Sequence, residues 1–198
     1  MSENVSRETL RLQSYAELFR RWNPAINLAS RSDIEMLESR HIGDCAQLID
    51  LTVRPTSWLD LGSGGGLPGV VVSILLQDAG TKVTLVESDA RKAAFLRQVG
   101  IKLELQNFLV ENSRIEALPP QSADVVSARA LAALPNLLGY VHRHLAPDGK
   151  ALLMKGARWR DELEEARQMW HFDCNAQASK TDPDAAILEI SNISHAKA

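Results

Sequence analysis

The chain has 198 residues, of which 45% are hydrophobic, 24% charged and 5% aromatic; this is ordinary globular composition and excludes disordered, collagen-like and disulfide-scaffold classes. Lys and Arg total 22 against 25 Asp and Glu, a formal net charge of -3, so any nucleic-acid role must rest on a local basic face and not on the total. No apolar run approaches the roughly 20 residues of a membrane span. The N-terminus is polar without a signal-peptide core, and Cys45 and Cys174 lack metal or redox spacing. A cytoplasmic protein without membrane or metal is expected.

In chain order, Leu12, Tyr15, Leu18, Phe19 and Trp22 recur at helical spacing and predict an amphipathic helix over 7–22, stopped by Pro24. Ser32 and Glu35 have capping-box spacing, and Ile34, Leu37, His41, Cys45, Leu48 and Ile49 continue one face of a second helix. Residues 1–54 therefore read as a helical cap packed on a core of 55–198 as one compact unit. At Ser57 the pattern changes. Residues 58–61 form a short apolar strand that runs into Gly62-Ser63-Gly64-Gly65-Gly66-Leu67-Pro68-Gly69, and 70–77 reads as a buried helix. Residues 82–86 form a second strand ending in Glu87, and Asp89 caps a helix carrying Ala93, Phe95, Leu96, Val99 and Leu103. Residues 108–110, 124–127 and 151–154 read as further strands. Helices are predicted over 136–145 and 160–170, a turn at Pro147-Asp148-Gly149, and a last strand at 186–190. This alternation predicts an α/β fold with a doubly wound, mostly parallel sheet and an N-terminal helical extension.

Such a sheet binds its ligand at the carboxyl ends of the strands, where the strand order reverses, and residues 62–69 follow the first strand directly. Five glycines in these eight residues let the backbone approach a ligand closely. Gly64-x-Gly66-x-x-Gly69 fits the dinucleotide fingerprint, with Glu87 lying 18 residues beyond Gly69 in the place of a ribose-binding acid. Asp60, two residues before the first glycine, argues differently. A carboxylate there suits a cationic ligand end, such as the sulfonium or amino group of S-adenosylmethionine, and sits poorly beside a pyrophosphate. The competing readings are a helix cap for Asp60 and a solvated charge for Glu87.

The run Leu59-Asp60-Leu61 through Gly69 resembles the first motif of class I S-adenosylmethionine methyltransferases. Its Gly-Gly-Gly-Leu-Pro-Gly form resembles one branch, the RsmG (GidB) family of bacterial 16S ribosomal RNA guanine-N7 methyltransferases. Trp22-Asn23, Ile26-Asn27-Leu28, Arg40-His41-Ile42-Gly43-Asp44, residues 87–96, Arg114-Ile115-Glu116, Ser127-Ala128-Arg129-Ala130 and Lys155-Gly156 agree in order. The tail after Ile190 departs from the basic, strand-like ending typical of the family.

The resemblance implies a Rossmann-like methyltransferase sheet that transfers a methyl group from S-adenosyl-L-methionine to N7 of a guanine in 16S ribosomal RNA, free or within the small subunit. It implies cofactor contacts from Asp60, Gly62, Ser63, Gly64, Gly66 and Leu67, ribose recognition by Glu87 with Ser88, and an adenine pocket at Ile115 and Glu116. Arg129 and Lys155, at strand ends, would position the substrate; Arg129 also borders the cofactor. His41 and Asp44 share a helix face. They either serve the core or face the site under a lid that includes Trp22, Asn23 and Asn27. Arg40, Arg129, Arg143, Lys155, Arg158 and Arg160 are candidates for a local basic patch. The rival readings are a methyltransferase acting on a small molecule or protein, a nicotinamide-type oxidoreductase, and a non-catalytic cofactor-binding protein.

Overall fold

The computed structural model describes residues 6–196; residues 1–5 and 197–198, which belong to the predicted cap and core, lie outside it. Ser6 accepts a hydrogen bond from the Thr9 amide and caps helix α1 (Arg7–Ile26), whose stripe buries Tyr15, Ala16, Phe19 and Ile26. Pro24 does not stop this helix. It stands in the last turn, where its missing N–H forgoes one bond, and Asn27 closes the end at φ 52° with its amide on the Asn23 carbonyl.

The second predicted helix is broken. Ser30, not Ser32, is its cap: it takes the Asp33 amide at 3.2 Å while its hydroxyl donates to the Asp33 carboxylate at 2.5 Å. Helix α2 (Arg31–Glu35) then gives way to a π-helical turn at Leu37–Ile42, α3 (Gly43–Ala46) and a 3-10 turn at Gln47–Leu51. Leu37, His41, Cys45 and Leu48 stay buried regardless, so the apolar face survives the change of winding.

The strands are β1 (Ser57–Leu61), β2 (Lys82–Val86), β3 (Phe108–Glu111), β4 (Ala123–Arg129), β5 (Leu145–Lys155), β6 (Trp170–Ala178) and β7 (Ala186–His195). They form one sheet in the order β3-β2-β1-β4-β5-β7-β6, parallel from β3 to β5 and antiparallel at the last two pairings. The predicted turn at 147–149 lies inside β5, where the pairing with β4 slips in register. The helices after β1 are α4 (Gly69–Leu75), α5 (Ala90–Lys102), α6 (Leu134–His144) and α7 (Trp159–Arg167). Helix α7 ends before the predicted 170, because Trp170 and Phe172 turn inward while His171 and Asp173 turn out, a strand alternation that pairs with β7.

Both faces of the parallel strands are covered, so they carry near-continuous apolar runs. Helices α1, α4 and α5 pack on the face holding Trp58, Val83 and Leu85; α6 and α7 pack on the face holding Leu59, Leu61 and Val86. Alternation along β1 therefore turns Asp60 the same way as Trp58, beneath α4. Asp60 is fully buried. Its Oδ2 accepts from the Gly69 amide at 3.2 Å, and its Oδ1 from the Ser127 hydroxyl at 2.7 Å, which itself accepts from Trp58 Nε1 at 2.8 Å. A Cβ on Gly69 would stand 2.7 Å from Asp60 Oδ2, so the helix meets the strand only as glycine. The helix-capping reading of Asp60 matches this geometry.

Burial pushes the Asp60 carboxyl up to about 6, against the hydrogen bonds from Ser127, Ser63 and Gly69. The folded protein thus holds this proton more tightly than the unfolded chain, whose carboxyl titrates near 3.9. Stability from this group is present below the unfolded value and is lost as pH rises through the folded one. We expect the stability advantage of wild type over Asp60→Asn to shrink by roughly 3 kcal/mol between about pH 4 and about pH 7 and to level off above that. Denaturant unfolding across this range measures it; an advantage that stays constant contradicts the assignment.

Candidate functional site

The strand order reverses between β1 and β4, and a crevice opens there beyond the ends of both strands. It holds a cavity of about 550 Å³, within the range of small-molecule sites. Gly62, Ser63, Gly64, Gly65 and Leu67 form one wall. Gly62 lies at φ 64°, and a Cβ there would come within 2.5 Å of Leu131; one on Gly65 would strike the Phe19 ring at 2.4 Å. The bare backbone is therefore obligatory, and the Tyr15 hydroxyl fastens it by donating to the Gly65 carbonyl at 2.7 Å. Gly66 does not line the cavity. At φ 96°, with Val70 2.4 Å from any added Cβ, it closes the turn from behind.

Glu87 continues from the end of β2 into the same cavity and is only 8% exposed, which contradicts a solvated charge. Its Oε2 accepts from the Gly64 amide at 2.8 Å and its Oε1 from the Asp89 amide at 2.7 Å. A carboxylate oxygen has two lone pairs, so each keeps capacity for one more donor. Ser88 lies beside it. At the far end stand Ile115 and Glu116 with Tyr140, whose hydroxyl donates to Glu116 at 2.8 Å. The Glu116 amide, together with this hydroxyl, holds the carboxyl below its ordinary range. Fully buried His144 donates from Nε2 to the Ile115 carbonyl at 3.1 Å and fixes the turn.

The N-terminal segment supplies the opposite wall through Phe19, Leu28, Ala29, Asp33 and His41. Asn23 holds the Ala29 amide at 2.8 Å, and Trp22 packs on Phe95 at 5.7 Å, so both shape this wall without lining it. Arg129, at the end of β4, donates to His41 Nδ1 at 2.6 Å. A guanidinium only donates, so His41 is neutral with its proton on Nε2, which lies 3.3 Å from Asp33 Oδ1. Burial, then the Arg129 charge, depress the His41 pKa, consistent with that state.

A second cavity of about 400 Å³ adjoins the first and shares Arg129, Ala130, Leu131 and Ala132 with it. Arg40, Asp44, Lys155, Arg158 and Glu162 also line it. Four of the six expected basic residues thus converge; Arg143 instead donates to the Leu118 carbonyl, and Arg160 lies over the Trp159 ring. Two of the four converging charges are matched. Arg40 pairs with Asp182, while Lys155 reaches Glu162 at 2.5 Å and donates to the Ala132 carbonyl at 2.9 Å. Lys155, expected to position the substrate, is half-buried and ion-paired, because β5 delivers its end directly against α7. It ties down the loop between the two cavities. Sequence reasoning missed Phe19, Asp33, Leu131 and Tyr140 as cavity residues; only Phe19 carried a signal, and its helical stripe read as core.

Matches to known proteins agree with this architecture. The family model described as GidB, rRNA small subunit methyltransferase G, matches residues 8–184. A Paracoccus denitrificans (strain Pd 1222) protein named ribosomal RNA small subunit methyltransferase G is 52% identical, over 98% of this chain and 100% of its own. A protein of the same name from Ruegeria sp. (strain TM1040) is 48% identical over 96% of this chain and 94% of its own. Among solved structures, a TehB-like SAM-dependent methyltransferase from Corynebacterium glutamicum superposes with a TM-score of 0.60 at 19% identity, covering 92% of this chain and 98% of that one, a likeness of fold alone. By family match and by near full-length identity, the chain belongs to the GidB family of rRNA small subunit methyltransferases G.

Proposed function

We propose that the protein methylates N7 of a guanine in 16S ribosomal RNA, with S-adenosylmethionine as the methyl donor. One observation carries the reading: a glycine-walled cavity with an inward carboxylate opens, across Arg129, into a second cavity lined by charged side chains. The family relationship supports the RNA substrate. No described helix is long and apolar enough to cross a membrane, and the reading puts the enzyme in the cytoplasm with its ribosomal substrate.

The first cavity fits the donor. The backbone of Gly62 to Gly65 can approach its amino-acid portion without steric conflict, Glu87 has two lone pairs for adjacent ribose hydroxyls, and Ile115 offers an apolar edge to the adenine. When bound, S-adenosylmethionine supplies an electrophilic methyl group on a positively charged sulfur. Guanine N7 bears a lone pair and no hydrogen, so the protein needs no general base, and neutral His41 serves to aim Arg129. Rate enhancement then comes from holding N7 in line with the methyl group. Positive charge moves onto the purine during transfer, so the Arg129 guanidinium helps only when it meets O6 or a phosphate oxygen. Lys155 acts at one remove, by fastening Ala132 in the loop that separates the cavities.

A nicotinamide-type oxidoreductase has the glycine spacing in its favour, but none of the relatives or solved structures compared above is named as one. Incubation of labelled S-adenosylmethionine with small subunits from cells lacking the enzyme tests the proposal. Label is expected as N7-methylguanine in digested 16S RNA; label elsewhere, or none, overturns it.

Two variants probe the division of labour. Glu87→Gln places an amide donor against the Gly64 or Asp89 amide and weakens S-adenosylhomocysteine binding by about 10-fold to 100-fold, the worth of a charge-assisted hydrogen bond. Calorimetry reads this directly, and an unchanged Kd removes Glu87 from the ribose site. Arg129→Ala lowers methyl transfer on the order of 100-fold while S-adenosylhomocysteine binding persists. Retained turnover takes Arg129 out of the substrate's path.

A further inference from the structure

We propose that Asp44 reads the Watson–Crick edge of the target guanine in the second cavity, an inference that rests on guanine being the substrate. Three observations lead there. Asp44 is 6% exposed yet lines that cavity and not the first one. Its carboxylate is held rigidly: Oδ1 accepts from the Ser179 hydroxyl at 2.6 Å and from Gln47 Nε2 at 2.9 Å. These supports come from opposite ends of the chain, and the Lys180 amide donates to Gln47 Oε1 at 2.9 Å, locking the β6–β7 loop to the N-terminal segment. Finally, among the described residues Oδ2 accepts from no group and is not sealed from the cavity.

The chemistry of purines then selects the base. An ionised carboxylate only accepts, so it requires donors. Guanine presents N1–H and the 2-amino group side by side, pointing the same way, and one oxygen with two lone pairs can receive both. Adenine offers a lone pair at N1 and would be repelled. The two edges of guanine also match the order of the cavities. N7 and O6 lie on one edge and belong toward the methyl donor, where Arg129 stands in the shared wall; N1 and the 2-amino group lie on the next edge and belong deeper, at Asp44. Reaching this arrangement requires the nucleotide to leave its stack, as in other enzymes that act on a base.

The test uses wild type and Asp44→Asn on small-subunit RNA carrying either guanine or inosine at the nucleotide that wild type methylates. Inosine keeps N7, O6 and N1–H and lacks only the 2-amino group. Wild type is expected to lose about 10-fold in kcat/KM on inosine RNA, the share of one charge-assisted hydrogen bond. Asp44→Asn is expected to lose about 100-fold on guanine RNA, with S-adenosylhomocysteine affinity and Tm near wild type, and little more on inosine RNA, because the partner of the missing group is already gone. Wild type that methylates inosine RNA as fast as guanine RNA overturns the proposal without any variant. So does Asp44→Asn with wild-type turnover, or equal inosine penalties in the two proteins. Failure of wild type to methylate any guanine would instead sink the assignment of the substrate, and that result precedes the rest.

Discussion

A turn with no room for a side chain at four of its glycines governs the site. Between β1 and α4 the chain must reverse tightly enough for the Gly69 amide to sit on the Asp60 carboxylate, and the space around it is taken by Phe19, Leu131, Val70 and Leu85. Side chains at Gly62, Gly65, Gly66 or Gly69 would collide with one of these groups. Gly62, Gly64 and Gly66 all lie at positive φ, where other residues are strained. The consequence is a stretch of backbone pressed from behind by the core and bare toward the crevice. Glu87 then adds, among the described residues, the only carboxylate bonded to that backbone from the cavity side, through Gly64.

The charge distribution around the two cavities follows a second logic. With a net charge of -3 the molecule has no general attraction for a polyanion, and two of the four cations that gather at the second cavity arrive with acids beside them. Lys155 with Glu162 and Arg40 with Asp182 are structural pairs; the first ties the end of β5 to α7, and the second joins segments far apart in sequence. Arg129 differs: its partner is a neutral imidazole, so its charge is aimed without being cancelled. A half-buried cation oriented by a hydrogen bond yet still charged suits a residue that must meet oxygen acceptors on an incoming base or phosphate. The asymmetry between Arg129 and Lys155, at equivalent ends of neighbouring strands, separates a cation whose charge is left uncancelled from one held as a support.

Much of this was legible in the sequence, for identifiable reasons. Strands β1, β2 and β4 announced themselves as short apolar runs bounded by Ser, Gly, Asp and Glu, and Asp89 caps α5 as its spacing requires. Glu87, Ser88, Ile115, Glu116 and Arg129 all reach the first cavity because strand ends in a doubly wound sheet converge there. The readings that failed depended on which way a side chain turns or on what lies across space. Asp60 was two positions from Trp58, so the period of a strand already placed it under the helix. Strand β6 escaped notice because half its residues are polar and its inward Trp170 and Phe172 follow directly on a helix. The Lys155–Glu162 and Arg129–His41 contacts cross between elements, and no local pattern records them.

In the proposed reading, the glycine-walled cavity holds the methyl donor with its ribose on Glu87 and its sulfur toward Arg129. A crystal structure with S-adenosylhomocysteine tests it most directly. Ribose hydroxyls are expected within hydrogen-bond distance of both Glu87 oxygens, with adenine beside Ile115 and sulfur at the wall shared by the two cavities. The ligand lying in the second cavity, or bound with its ribose away from Glu87, would contradict it.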